Sequence, residues 1–186
     1  MNLLLHACCG PCLIEPLDAL RANADSVTIL YANPNIHPAE EYERRRDAMA
    51  EYAATEGIAA VEAPYEPARW MTAVEPLAEA GPERCRACFR LRLEESARYA
   101  ADHGFDAIAT TLTVSPYQDG GVIAEEGRRA AEAVGVTYVH QDFRDRYPEA
   151  TRRSREMGMY RQNYCGCALS DVEARQARAE RRAKRG

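Results

Sequence analysis

Three short segments of this chain carry all of its thiols: Cys8, Cys9 and Cys12 in Cys8-Cys9-Gly10-Pro11-Cys12, Cys85 and Cys88 in Cys85-Arg86-Ala87-Cys88, and Cys165 and Cys167 in Cys165-Gly166-Cys167. Structural cysteines are usually buried one at a time on helix or strand faces, and here none of the seven stands alone. Clustered thiols in a chain of 186 residues, large enough to fold without disulfide staples, point to metal ligation or redox chemistry.

Each cluster has its own chemistry. The first places three thiols on a Gly-Pro turn expected to open a helix, where free backbone N–H groups favour thiolate over thiol. The second has the C-x-x-C spacing that lets two sulfurs hold one metal centre, and together with Cys8 and Cys9 it supplies the four sulfurs that a cubane cluster takes from protein. The third is a C-x-C pair, whose disulfide would be strained and easily reduced. With Cys12 as third partner it could bind a second metal, or it could cycle between dithiol and disulfide. Two other readings compete: a zinc-binding, RNA-binding module without redox chemistry, and a metal-free thiol-disulfide oxidoreductase.

The elements that must position these thiols follow from hydrophobic rhythm. Short β-like runs at Asn2–His6, Val27–Ala32, Ala59–Ala63, Ala107–Thr110 and Thr137–His140 alternate with helical spacing over Ile14–Ala24, Pro38–Glu56, Ala87–His103 and Asp119–Val134. Gly57, Gly104 and Gly135 each close a helical segment just before a strand, where a left-handed cap is expected. Two further helices, Glu149–Gln162 and Ala168–Lys184, flank the C-x-C turn. This pattern predicts one α/β domain over residues 1–186, a Rossmann-like doubly wound parallel sheet of about five strands with C-terminal helices. In such a sheet ligands gather beyond the carboxyl ends of the strands, where Cys8, the Tyr31–Pro38 loop and the Thr110–Tyr117 loop should meet.

The net charge of −5 is unevenly spread: residues 141–186 hold 12 basic against 7 acidic side chains, a net of +5. That helical, basic part is the candidate surface for an anionic partner. No basic leader and no long apolar run is visible, so a soluble, cytoplasmic protein without membrane contact is expected. The phosphate-binding patterns G-x-x-x-x-G-K-[ST], G-x-G-x-x-G and S-G-G-x-D-S are absent, which disfavours P-loop, dinucleotide and adenylation chemistry.

Several blocks together resemble one family. His6-Ala7-Cys8-Cys9-Gly10-Pro11-Cys12, Tyr31-Ala32-Asn33-Pro34-Asn35-Ile36 and Cys85-Arg86-Ala87-Cys88-Phe89-Arg90-Leu91-Arg92-Leu93 resemble epoxyqueuosine reductases of the QueH type. So do Thr110-Thr111-Leu112, Ser115-Pro116-Tyr117, Asp142-Phe143-Arg144 and Tyr160-Arg161-Gln162-Asn163-Tyr164-Cys165-Gly166-Cys167-Ala168-Leu169-Ser170. The resemblance implies the last step of queuosine biosynthesis: cobalamin-independent reduction of the epoxide of epoxyqueuosine in tRNA to an alkene. It also implies a [4Fe-4S] cluster beside a second centre, either a mononuclear iron or zinc or a redox-active dithiol. By similarity Cys8, Cys9, Cys85 and Cys88 are assigned to the cluster, and Cys12, Cys165 and Cys167 to the second centre. Asp142, Tyr117 and Tyr160 are candidates for proton delivery or substrate contact. Arg144, Arg152, Arg153, Arg155 and Arg161 are candidates for tRNA phosphates. No flavin or nicotinamide motif is present, so electrons are expected from an external donor protein.

Overall fold

Leu3, Leu4 and Leu5 alternate sides of one strand, and all three are completely buried, so the strand must be covered on both faces, the condition for the interior of a parallel sheet. A computed structural model, which describes residues 1–183, shows that sheet. Strands β1 (Asn2–His6), β2 (Ser26–Tyr31), β3 (Ala59–Glu62), β4 (Ala107–Thr110) and β5 (Thr137–Tyr138) are all parallel, in the order β3-β2-β1-β4-β5. The order reverses between β1 and β4, so the doubly wound expectation holds and the switch point lies just beyond His6 and Thr110.

Among the described residues seven α-helices join the strands: α1 (Gly10–Arg21), α2 (Ala39–Thr55), α3 (Pro67–Val74), α4 (Gly81–Asp102), α5 (Gly120–Val134), α6 (Tyr147–Glu156) and α7 (Ala168–Ala183). Leu3, Leu5, Ile29 and Tyr31 pack with Leu13 and Leu17 of α1, Tyr42 and Met49 of α2, and Ala150 of α6. Leu4, Leu30 and Ile108 point the other way, onto Phe89, Leu93 and Ala97 of α4 and Ile123 of α5. None of these helices is long and apolar enough to cross a membrane.

The boundaries differ from expectation where proline acts. Proline is tolerated in the first helical turn, so α4 begins at Gly81-Pro82, six residues before the expected Ala87, and Cys85 and Cys88 fall inside it. Helix α1 likewise starts at Gly10-Pro11 and takes in Cys12. Helix α3, which Pro67 opens, was not expected at all. Helix α6 stops at Glu156 rather than Gln162, because Gly158 turns into a left-handed conformation at φ 63°. Gly57, Gly104 and Gly135 have positive φ as expected. The expected end of the last helix at Lys184 lies outside the described residues.

Candidate metal and redox site

Strand β1 delivers the chain directly into the first thiol group. His6, its last residue, is fully buried, with Nδ1 2.8 Å from the Thr110 hydroxyl and Nε2 3.2 Å from the Ala32 carbonyl. Burial, with the positive Arg92 nearby, drives its pKa down to about 3, so the ring is neutral and serves to tie β1 to β4 and to the loop after β2. Beyond it, Cys9 caps α1 and Cys12 sits in the first turn. The sulfurs of Cys8, Cys9 and Cys12 all lie within 4.8 Å of one another. Hydrogen bonds from Cys12 and Cys9 hold the Cys8 thiol well below its ordinary pKa, with Arg92 and the Thr111 hydroxyl assisting. Cys12 is pushed well up by donating to Cys8 and Cys9. Hydrogen bonding within the triad thus favours thiolate at Cys8 over Cys9 and Cys12. Thr111, at the end of β4, both accepts from the Cys8 N–H at 3.1 Å and donates to its sulfur at 3.4 Å. The Gln162 amide donates to Cys9 Sγ at 3.0 Å.

The C-x-x-C helix and the C-x-C loop meet through Cys88 and Cys167, without the close three-sulfur spacing of the first group. Cys85 and Cys88 are three residues apart on α4 and so share a face. Cys88 packs with Cys167, Trp70 and Val74. A hydrogen bond from Cys165, with others from Ser170, draws Cys167 down to about 6 despite its burial, and the Ser170 N–H lies 3.2 Å from its sulfur. All seven cysteines are free thiols. The close sulfur group is therefore Cys8, Cys9 and Cys12, and Cys88 packs with Cys167. The expected division placed Cys8, Cys9, Cys85 and Cys88 on one centre and Cys12, Cys165 and Cys167 on the other. Cys12 lies one helical turn from its sequence neighbours, whereas the C-x-C loop is drawn onto α2 and α4.

Two buried arginines surround these groups. Arg45 of α2 donates to the Cys165 carbonyl at 2.9 Å and the Tyr164 carbonyl at 3.3 Å, lies 5.0 Å from the Tyr164 ring centre, and pairs with Glu41 at 2.6 Å. Glu41 in turn accepts from the Tyr160 hydroxyl at 2.5 Å. Arg92 of α4 donates to the Asn33 side-chain carbonyl, while the Asn33 amide donates to the Ala7 carbonyl at 2.8 Å. Arg92, Arg45, Glu41 and Gln162 had no assigned role from sequence. A usable signal existed for Arg92, which follows Cys88 by four residues on one helix face.

The other expected residues are dispersed around the rim. Tyr117 is 86% exposed and stands edge-on to Tyr147, with ring centres 6.2 Å apart. Tyr147 lines a cleft with Cys12, Val114, Thr151, Arg161 and Gln162. Asp142 is exposed and hydrogen-bonded to Arg144, which holds its carboxyl below the ordinary range. Arg152 pairs with Glu149 and Glu156, Arg153 with Glu15 and Asp18, and Arg161 binds the Thr151 carbonyl and Ser154. Arg155 has no ion pair among the described residues.

With that geometry in view, the relatives of the chain are informative. The family model described as "Epoxyqueuosine reductase QueH" matches residues 3–173. The chain belongs to the QueH epoxyqueuosine reductase family. The QueH reductase of Thermotoga maritima is 36% identical over 192 residues, covering 100% of this chain and 98% of that protein. Those of Dehalococcoides mccartyi (33% identical, 92% and 93% covered) and Streptococcus pyogenes (36%, 91% and 70%) are similar over most of their lengths. Among solved structures, one described as a predicted subunit of a tRNA methyltransferase from Methanocaldococcus jannaschii matches with a TM-score of 0.58 at 13% identity, covering 97% of this chain and 88% of that one. At that identity it speaks for the α/β fold alone. The QueH match spans all three cysteine segments and ends six residues past Cys167.

Proposed function

We propose that this QueH-family chain reduces the epoxide of epoxyqueuosine in tRNA to the alkene of queuosine. The observation that carries the reading is a close triad of thiols, Cys8, Cys9 and Cys12, with four further free thiols, in a chain whose relatives bear that enzyme name. The overall change is loss of the epoxide oxygen as water: two electrons and two protons enter, both C–O bonds break, and a C=C bond forms. The electrons come from an external one-electron donor protein.

The donor set fits a [4Fe-4S] cluster with an adjacent iron or zinc. It is all sulfur, without carboxylates in the close triad, a soft set that selects iron-sulfur clusters and zinc over oxygen-loving cations. Buried cations beside it, Arg45 and Arg92, suit an anionic group. By family resemblance Cys8, Cys9, Cys85 and Cys88 would supply the four thiolates that a cubane takes, and Cys12, Cys165 and Cys167 the second centre. The alternative for the second centre is a redox dithiol at Cys165 and Cys167. When bound, the cluster would relay electrons singly to the substrate.

The protein's own residues position the nucleoside. The cleft beside Cys12 offers Thr151, Arg161 and Gln162 as hydrogen-bonding partners for a polyhydroxylated ring. Tyr117 and Tyr147 at its mouth suit base contact. Asp142, kept ionised by Arg144, suits accepting a hydrogen bond rather than giving a proton. Tyr160, bound to Glu41, suits ordering the C-x-C segment.

The test is anaerobic: reconstituted protein, dithionite and tRNA from cells blocked at the epoxide stage, with nucleosides read by mass spectrometry. Loss of one oxygen mass, abolished in Cys85→Ala, is expected. Brown, fully metallated protein that converts nothing would refute the substrate. A colourless protein that holds only zinc would favour the zinc-binding reading.

A further inference from the structure

Among the described residues, Arg92 is the one buried arginine whose charge no carboxylate meets. Arg45, Arg84 and Arg92 are the buried arginines among the described residues. Arg45 pairs with Glu41 and Arg84 with Glu173. Arg92, only 2% exposed, makes a single side-chain hydrogen bond, to the neutral Asn33 amide oxygen, and its Nε has no partner. Burying an unpaired cation costs several kcal/mol, and natural folds retain one where an anion of another kind balances it.

Two of the thiol segments adjoin Arg92 along the chain and through hydrogen bonds. Arg92 lies one turn beyond Cys88 on α4, and its guanidinium is tied through Asn33 to the Ala7 carbonyl, immediately before Cys8. It thus stands between the C-x-x-C helix and the start of the first thiol segment, held by an amide that offers no charge of its own.

We propose that Arg92 is the counter-charge of the metal centre and a positioning residue for its redox poise, raising the midpoint potential by favouring the reduced state. The inference rests on the proposed cluster. A [4Fe-4S] core with four thiolates goes from a net charge of −2 to −3 when it takes one electron from the donor, and a fixed buried cation stabilises the more negative state. Asn33 keeps that cation on the thiols instead of letting it seek a carboxylate or solvent.

The experiment compares reconstituted wild type, Arg92→Gln and Arg92→Lys at matched iron and sulfide content, with the midpoint potential read by an EPR-monitored titration. Arg92→Gln is expected to shift the potential to more negative values, and Arg92→Lys to restore most of the difference. Asn33→Ala, which leaves the charge but frees it, is expected to give a smaller negative shift and stands in should Arg92→Gln fail to hold a cluster. A potential unchanged in Arg92→Gln, or in Asn33→Ala where that variant stands in, overturns the role. An unchanged potential with a raised KM for tRNA overturns it in favour of substrate contact. Brown wild type that is reducible but inert toward the tRNA refutes the substrate reading and leaves the comparison of potentials intact. Wild type that takes up no cluster overturns both the proposed cofactor and this role.

Discussion

At the scale of single residues, the C-x-C segment depends on Gly166. Its φ of 117° lies in a region that L side chains rarely adopt, and an added Cβ would stand 2.7 Å from Arg45 Nη1 and 3.1 Å from Ile36 Cγ1. Gly166→Ala therefore meets backbone strain of about 1–3 kcal/mol and collides with the group that holds the Cys165 carbonyl. The expected result is a loop displaced from Arg45, seen as at least a roughly tenfold faster alkylation of Cys165 and Cys167 in reduced, metal-free protein, with a matching fall in nucleoside conversion. Alkylation at the wild-type rate would mean that the loop tolerates the change. Arg45→Met removes the same anchor from the other side. It should reproduce the faster alkylation, since it leaves the Tyr164 and Cys165 carbonyls without their donor.

At the scale of elements, α4 is the platform for Cys85 and Cys88, and its register against α5 is fixed by Glu126. That carboxylate is 1% exposed and accepts hydrogen bonds from Arg86 and Arg90 of α4 and from Arg129 of its own helix. Burial alone would raise its pKa, but hydrogen bonds from Arg90, Arg129 and Arg86 outweigh burial and hold it at about 2. The unfolded chain has the ordinary value of 4.5, so the stabilisation is complete above pH 4.5 and is lost as pH falls toward 2. Glu126→Gln should cost about 1–3 kcal/mol at pH 7, discounted from a fully buried pair because the arginines are partly exposed. The deficit should shrink when urea midpoints are compared at pH 3.5. A deficit independent of pH would exclude the charge as its origin. The elements themselves were largely legible: leucine runs marked the strands, and glycines marked three helix ends. Helix starts were not, because a proline that opens a helix looks the same in sequence as one that ends it. The pairing of the C-x-C loop with the C-x-x-C helix was not legible either. It is set by Arg45, 120 residues from Cys165, and no local pattern encodes a contact of that range.

At the scale of the whole molecule, the parallel sheet opens every loop that carries a cysteine or a polar rim residue toward one edge, while the charge of the chain is sorted along it. Residues 141–186 are net positive within a net negative protein. Many of their arginines are already engaged: Arg152 and Arg153 in ion pairs and Arg161 by α6 itself. Arg155 on α6 and Arg181 and Arg182 in the last turn of α7 are exposed, with no ion pair among the described residues, which leaves their donors free for phosphate. If these three neutralise tRNA phosphates, each releases counterions on binding, and the salt dependence of binding counts them. Replacing all three with alanine should lower the slope of log Kd against log salt by about 2 to 3, given about 0.7–0.9 per phosphate contact, while conversion at saturating tRNA stays at the wild-type rate. Binding read by filter retention between low and physiological salt measures the slope, and single-turnover conversion measures the rate. A slope equal to that of the wild type would move the tRNA contact away from these helices and toward the Tyr117 rim, where stacking rather than charge would have to hold the tRNA.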